Sequence, residues 1–231
     1  MILGAPKIRG GLRLLAAALL CACASPSTWS QKPAVVAPPD VHTLAQRVDH
    51  HYNQLHSLKA GFNETYEGLG MHRDESGTLL LQKPGRMRWD YTQPRSKVFV
   101  LDGKFAWFYA QGDPQVQRIS ARQLDDLRSP LRFLLGHTEV EKELTNLNAS
   151  TAANGAYTLT GQPKGQEKRI PRLALTVTPS GVITGIEIEE GDGAITRFTF
   201  TGEQDNVTIP PATFHFTPPP GIPVVDAPPP V

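Results

Sequence analysis

Cysteine is nearly missing from this chain: of 231 residues only Cys21 and Cys23 carry a thiol, both near the start. No disulfide can therefore staple the body of the fold, and no C-x-x-C pair exists for redox or zinc chemistry. G-x-S-x-G, H-E-x-x-H and a phosphate-binding P-loop are absent too, which removes the common sequence routes to serine hydrolysis, zinc hydrolysis and nucleotide chemistry. The apolar run Leu14 to Leu20 is far short of the roughly 20 residues a membrane span needs. Charge of one sign is lacking as well: 23 basic against 22 acidic residues leave a net +1. The first twenty-four residues hold Lys7, Arg9 and Arg13 and no acid, so without them the balance is 20 against 22, or −2. Neither value points to nucleic acid. The acidic pairs Asp125-Asp126 and Glu189-Glu190 are adjacent, so their side chains diverge and suit solvated surface better than shared acid-base work.

What is present is organised around Gly77 to Gly103. Leu79-Leu80-Leu81 is bounded by Pro84-Gly85; Met87, Trp89 and Tyr91 alternate with Arg88 and Asp90; Val98 to Leu101 runs into Asp102-Gly103. Short apolar or alternating runs between turn residues predict a β-meander. If Lys83 points inward with Leu79 and Leu81, Met87 and Trp89 share that face only when the connection holds an odd number of residues or a bulge.

Residues 1–24 combine a basic start, an apolar stretch and small residues, the pattern of a secretory signal. Ala22-Cys23-Ala24 fits cleavage before Ser25, whereas Leu20-Cys21-Ala22-Cys23 resembles a bacterial lipobox that would make Cys23 a lipidated first residue. A proline-rich linker, 25–39, suits either outcome because it cannot pack. A single domain is expected over 40–226, followed by a proline-rich tail, 227–231. Asp40 is the expected N-cap of a helix whose apolar face holds Val41, Leu44, Ala45, Val48, Leu55 and Leu58. His42, His50, His51 and His56 fall at spacings that do not share a helical face, so they read as solvated surface and no metal is expected.

Ala60 to Tyr66 reads as a strand, with Glu64 between Phe62 and Tyr66. That lone carboxylate suits an acid catalyst only with a second group nearby; an edge position reaching water is the simpler reading. Phe105, Trp107 and Tyr109 alternate with Lys104, Ala106 and Phe108, so both faces are largely apolar and need cover. Ser129-Pro130 opens a second helix that Gly136 ends, and Leu131, Phe133, Leu134 and Leu135 require burial nearly all round. From Glu139 to Phe200 the pattern is antiparallel strands with short turns, including Tyr157-Leu159, Leu173-Leu175-Val177, Ile186-Ile188 and Phe198-Phe200.

The order G-x-L-x-L, K/R-P, R-W-x-Y, x-P and D-G before an aromatic strand resembles that of the outer-membrane lipoprotein carriers, the LolA-like proteins. It stands here as Gly77, Leu79, Leu81, Lys83-Pro84, Arg88-Trp89, Tyr91, Pro94 and Asp102-Gly103. Phe62-x-Glu64 is similar to the family's first strand, which usually has glutamine; Ser129 to Leu135 is similar to its lid helix; Ile209 to Pro219 is similar to its closing strand. The resemblance spans about Val41 to Val225. It implies a mainly β fold with a few helices, an incomplete and strongly curved antiparallel barrel whose concave apolar face is covered by helices and holds lipid. The expected lipid-binding residues are Phe62, Leu79, Leu81, Met87, Trp89, Val98, Val100, Trp107, Leu131, Phe133, Leu134 and Leu135.

The resemblance also implies a function. A monomeric, non-enzymatic periplasmic carrier without cofactor would take lipoproteins from an inner-membrane ABC-type release complex, which supplies the energy, and pass them to an outer-membrane acceptor. Where Lys83 stands the family usually has arginine, which hydrogen-bonds to lid-helix carbonyls and holds the empty cavity shut. Lysine offers three donors on a flexible stem against five in a fixed fork, so the latch here is expected to be weaker. Two alternatives stand beside the carrier: a membrane-anchored acceptor of the LolB type lipidated at Cys23, and a secreted enzyme on an unfamiliar β fold.

Overall fold

Asp40 caps the first element as its side chain requires: Oδ2 accepts from Thr43 N–H at 3.3 Å, and helix α1 runs Val41–Gln54. The structure, a computed structural model, describes residues 39–122 and 139–226. Leu44, Ala45, Val48 and Tyr52 fall three or four apart and form the buried stripe of α1. The helix stops sooner than the apolar spacing predicts. Leu55 is an extended C-cap and Leu58 already belongs to a strand, yet both stay in the same core.

Strands β1 (Ser57–Gly68), β2 (Met71–Gln82), β3 (Arg86–Gln93), β4 (Lys97–Leu101), β5 (Phe105–Ala110) and β6 (Val116–Ser120) form the expected meander. A short helix α2 (Val140–Glu143) precedes β7 (Leu144–Thr151), β8 (Tyr157–Pro163), β9 (Arg172–Val177), β10 (Ile183–Glu189) and β11 (Ile195–Asp205). β11 then pairs with β1, so the two runs fuse, with the short β12 (Val224–Asp226) added beside β6, into one twelve-stranded sheet, ordered β12-β6-β5-β4-β3-β2-β1-β11-β10-β9-β8-β7. Its outer strands, β12 and β7, do not pair with each other, so the barrel stays open. The sheet curls around α1: one core cluster joins the helix to Leu79 and Trp89 of one half and to Leu173, Leu175 and Ile186 of the other.

Two expectations need correction. The sheet is not wholly antiparallel, because β12 pairs with β6 in parallel. The predicted closing strand within Ile209 to Pro219 is instead a 3-10 turn, Pro211–Phe214, set among prolines that cannot donate to a ladder. Among the described residues no helix is long and apolar enough to cross a membrane.

Candidate functional site

The connection between β2 and β3 is Lys83-Pro84-Gly85, three residues, so parity is kept across it. Leu81 pairs with Met87 and Leu79 with Trp89, which puts all four on the face under α1. Leu79 and Leu81 are fully buried, Phe62 and Trp89 are 2 % exposed, and Met87 is 3 % exposed. Phe62 meets Trp89 edge-on at 4.7 Å, and Phe198 and Phe200 of β11 lie 5.6 and 6.2 Å from the same indole. Gly77 makes this face possible. A Cβ there would sit 1.9 Å from the Asp90 carbonyl oxygen, where the β2–β3 register shifts.

One end of the face is polar. Tyr91 Oη donates to Glu64 Oε2 at 2.8 Å, and Lys97 Nζ donates to Glu75 Oε2 at 2.5 Å while lying 3.9 Å over the Tyr91 ring. Burial, then the adjacent Glu64 charge, push the Tyr91 phenol above its ordinary range. Tyr91 and Lys97 line a surface groove of about 330 Å³, and Glu64 and Glu75, both nearly enclosed, border one of about 260 Å³. Acyl chemistry suits the apolar floor and a headgroup suits this rim.

α1 is held at its C-terminal turn. Lys83 Nζ donates to the Tyr52 carbonyl at 2.5 Å, and burial lowers the pKa of its ammonium. Tyr52 Oη donates to Glu203 Oε2 at 3.3 Å and accepts from Ile183 N–H at 3.0 Å, and His51 Nε2–H donates to Glu203 Oε1 at 2.9 Å. His51, Glu203 and Asp205 bring three potential ligand atoms within 4.8 Å, but Glu203 is already engaged by both α1 side chains.

The sequence model of the family described as outer membrane lipoprotein carrier protein LolA matches residues 53–217. The chain belongs to the LolA family. An outer-membrane lipoprotein carrier protein of Chromobacterium violaceum is 32 % identical over 169 residues, 73 % of this chain and 81 % of that one. One from Proteus mirabilis is 31 % identical over 211 residues, covering 90 % and 97 % of the two chains. The crystal structure of an uncharacterized conserved protein from Thermus thermophilus is similar in fold, with a TM-score of 0.51 at 12 % identity over 82 % of this chain and 100 % of that one.

In this LolA-family chain the structure brings Phe62, Leu79, Leu81, Met87 and Trp89 together and sets Val98, Val100 and Trp107 apart from them. Trp89 pairs with Phe99 and Met87 with Leu101, so the alternate residues Val98 and Val100 face the other way, with Trp107 opposite Val100. That opposite face has its own cover: Phe216 packs 5.6 Å from Trp107, and Arg88 donates to the Thr213 carbonyl at 3.0 Å. Leu131, Phe133, Leu134, Leu135 and Cys23 lie outside the described residues. Lys83 meets α1, and the expected 129–136 helix, its predicted partner, is also outside them. Glu64 is no edge residue reaching water; it is 8 % exposed, because β1 is flanked by β2 and β11. Sequence reasoning missed Tyr52, Phe99 and Leu101, and it took His51 for surface. Tyr52 was findable, four residues beyond Val48 on the same stripe.

Proposed function

We propose that this chain is a periplasmic carrier that shields lipoprotein acyl chains on the face beneath α1 and moves them from the inner to the outer membrane. Each buried CH₂ is worth roughly 0.8 kcal/mol, so exposing a sixteen-carbon chain to water costs on the order of 12 kcal/mol. A lipoprotein carrying three such chains does not diffuse freely through water, and at least part of them has to be sheltered. The observation that carries the reading is the continuous aromatic and aliphatic surface of Phe62, Leu79, Leu81, Met87, Trp89, Phe198 and Phe200, closed by helix α1, whose polar holds run along its length from His42 and Arg47 to Tyr52. On this reading an inner-membrane ABC-type complex loads the carrier and an outer-membrane acceptor unloads it. The mature domain spans 40–226 and works as a monomer.

Intact-mass and lipid analysis of the protein purified from periplasm and from membranes tests this. The expected product has lost its first twenty-two to twenty-four residues and carries an acylated lipoprotein. A mature chain that retains Met1, or one that holds no acylated ligand, overturns the carrier reading. A lipid adduct on Cys23 selects the anchored acceptor instead, whereas a Cys23→Ser variant unchanged in fraction, and in mass apart from the substitution, selects the free carrier.

A further inference from the structure

Trp89 is 2 % exposed, and its indole Nε1–H has no hydrogen-bond partner among the described residues. The other indole of the sheet shows what the chain does where an acceptor is within reach: Trp107 donates its Nε1–H to Asp102 Oδ2 at 2.8 Å. An indole is a donor only, and a buried donor without an acceptor costs free energy, so this one calls for an explanation. The neighbouring rings of Phe62 and Phe198 present at most weak π acceptors.

The place of this donor along β3 is informative. Met87, Trp89 and Tyr91 occupy one face at steps of roughly 6.6 Å. On the Met87 side the cross-strand neighbours are Leu81 and Leu101; on the other side Tyr91 bonds to Glu64 and stacks under Lys97. Trp89 therefore stands where the face passes from apolar to polar. An acylated lipid runs in the same order, methylenes first, then a carbonyl, then a polar head.

We propose that Trp89 Nε1–H receives the carbonyl at the root of a cargo acyl chain, the ester or amide C=O, and so sets the depth and direction of the chain. This rests on the carrier reading above. The methylenes then lie over Leu79, Leu81 and Met87, and the head leaves past Tyr91 and Glu64. A carbonyl taken out of water without a donor is penalised just as the unpartnered indole is, and pairing them removes both penalties at once.

The test compares monopalmitoylglycerol with its ether counterpart, hexadecylglycerol, which has the same chain and head but lacks the carbonyl. The full mature protein is expected to bind the ester roughly five- to tenfold more tightly, the scale of one net hydrogen bond. Trp89→Phe, which keeps a ring and loses the donor, is expected to bind the two equally. In ¹⁵N spectra of the unsubstituted protein, the Trp89 indole N–H resonance is expected to move downfield with the ester and not with the ether, a readout that stands even if Trp89→Phe fails to fold. Equal binding of ester and ether by the unsubstituted protein, or an unmoved indole resonance with the ester bound, overturns the proposal while leaving the carrier intact. Failure to bind either lipid overturns the carrier reading itself.

Discussion

Gly77 shows how a single residue constrains the whole concave face. Its φ is ordinary, so the constraint is not conformational freedom but space: the Asp90 carbonyl occupies the position of a side chain. Backbone cannot swing away as the end of a long side chain can, so Gly77→Ala must pull β3 from β2 at the level of Tyr91. The expected cost is about 3 kcal/mol, the upper range for overpacking, read as a lowered urea midpoint. A midpoint within experimental error of the parent would show that the strands give way more easily than their register implies. Glu64 is a second residue-scale lesson. Its carboxylate is nearly enclosed, but the Tyr91 hydroxyl supplies the hydrogen bond that makes a polar atom tolerable there.

At the scale of elements, α1 is the part whose attachment matters most. Its apolar stripe of Leu44, Ala45, Val48 and Tyr52 packs on the sheet, while its polar ties at the C-terminal end converge on Glu203 and Lys83. The hydrogen bond to Glu203 raises the His51 pKa above its ordinary 6.5; burial opposes this, and the Glu203 and Asp205 charges reinforce it. A raised folded-state pKa means that the stabilisation is fully present below the unfolded value. It is lost as pH climbs through the folded one. The urea midpoint is therefore expected to fall as pH rises above the ordinary histidine value of 6.5, by an amount corresponding to about 1 kcal/mol or less for a partly exposed pair. His51→Gln is expected to flatten that dependence, and a slope equal to the parent's would place the titrating group elsewhere.

For the whole molecule the question is how a curled, open sheet exchanges a covered face for an occupied one. Lys83 ties the β2–β3 connection to the last turn of α1, so it favours the arrangement in which helix and sheet stay together. A hydrogen bond from a charged donor contributes about 1.5–3 kcal/mol, enough to move a closed-to-open ratio by tenfold or more. On the carrier reading, Lys83→Leu is expected to take up lipid and hand it over poorly, because the empty closed form no longer draws the cargo out. Lys83→Arg is expected to strengthen the closed, empty form. Uptake and hand-over measured on both variants decide the matter, and values unchanged in each would leave Lys83 without a part in exchange.

Much of this was legible in the sequence. Alternation with a period of two marked the strands, and Asp40 after two prolines marked the start of α1; that Met87 and Trp89 share the face of Leu79 and Leu81 was legible only as a condition on the connection, which the three residues after Gln82 then met. Such features depend on neighbours a few residues away. The inward side of β4 was not legible, because Lys97 to Leu101 holds an apolar run with no alternation to set its parity; pairing with β3 chose Phe99 and Leu101 over Val98 and Val100. Nor was the burial of Glu64, which follows from β11 joining β1 from far along the chain. The anchoring of Lys83 on Tyr52 and the unpartnered indole of Trp89 were equally out of reach. Whether a polar atom is satisfied depends on what the rest of the fold brings within 3 Å of it, and only the tertiary structure decides that.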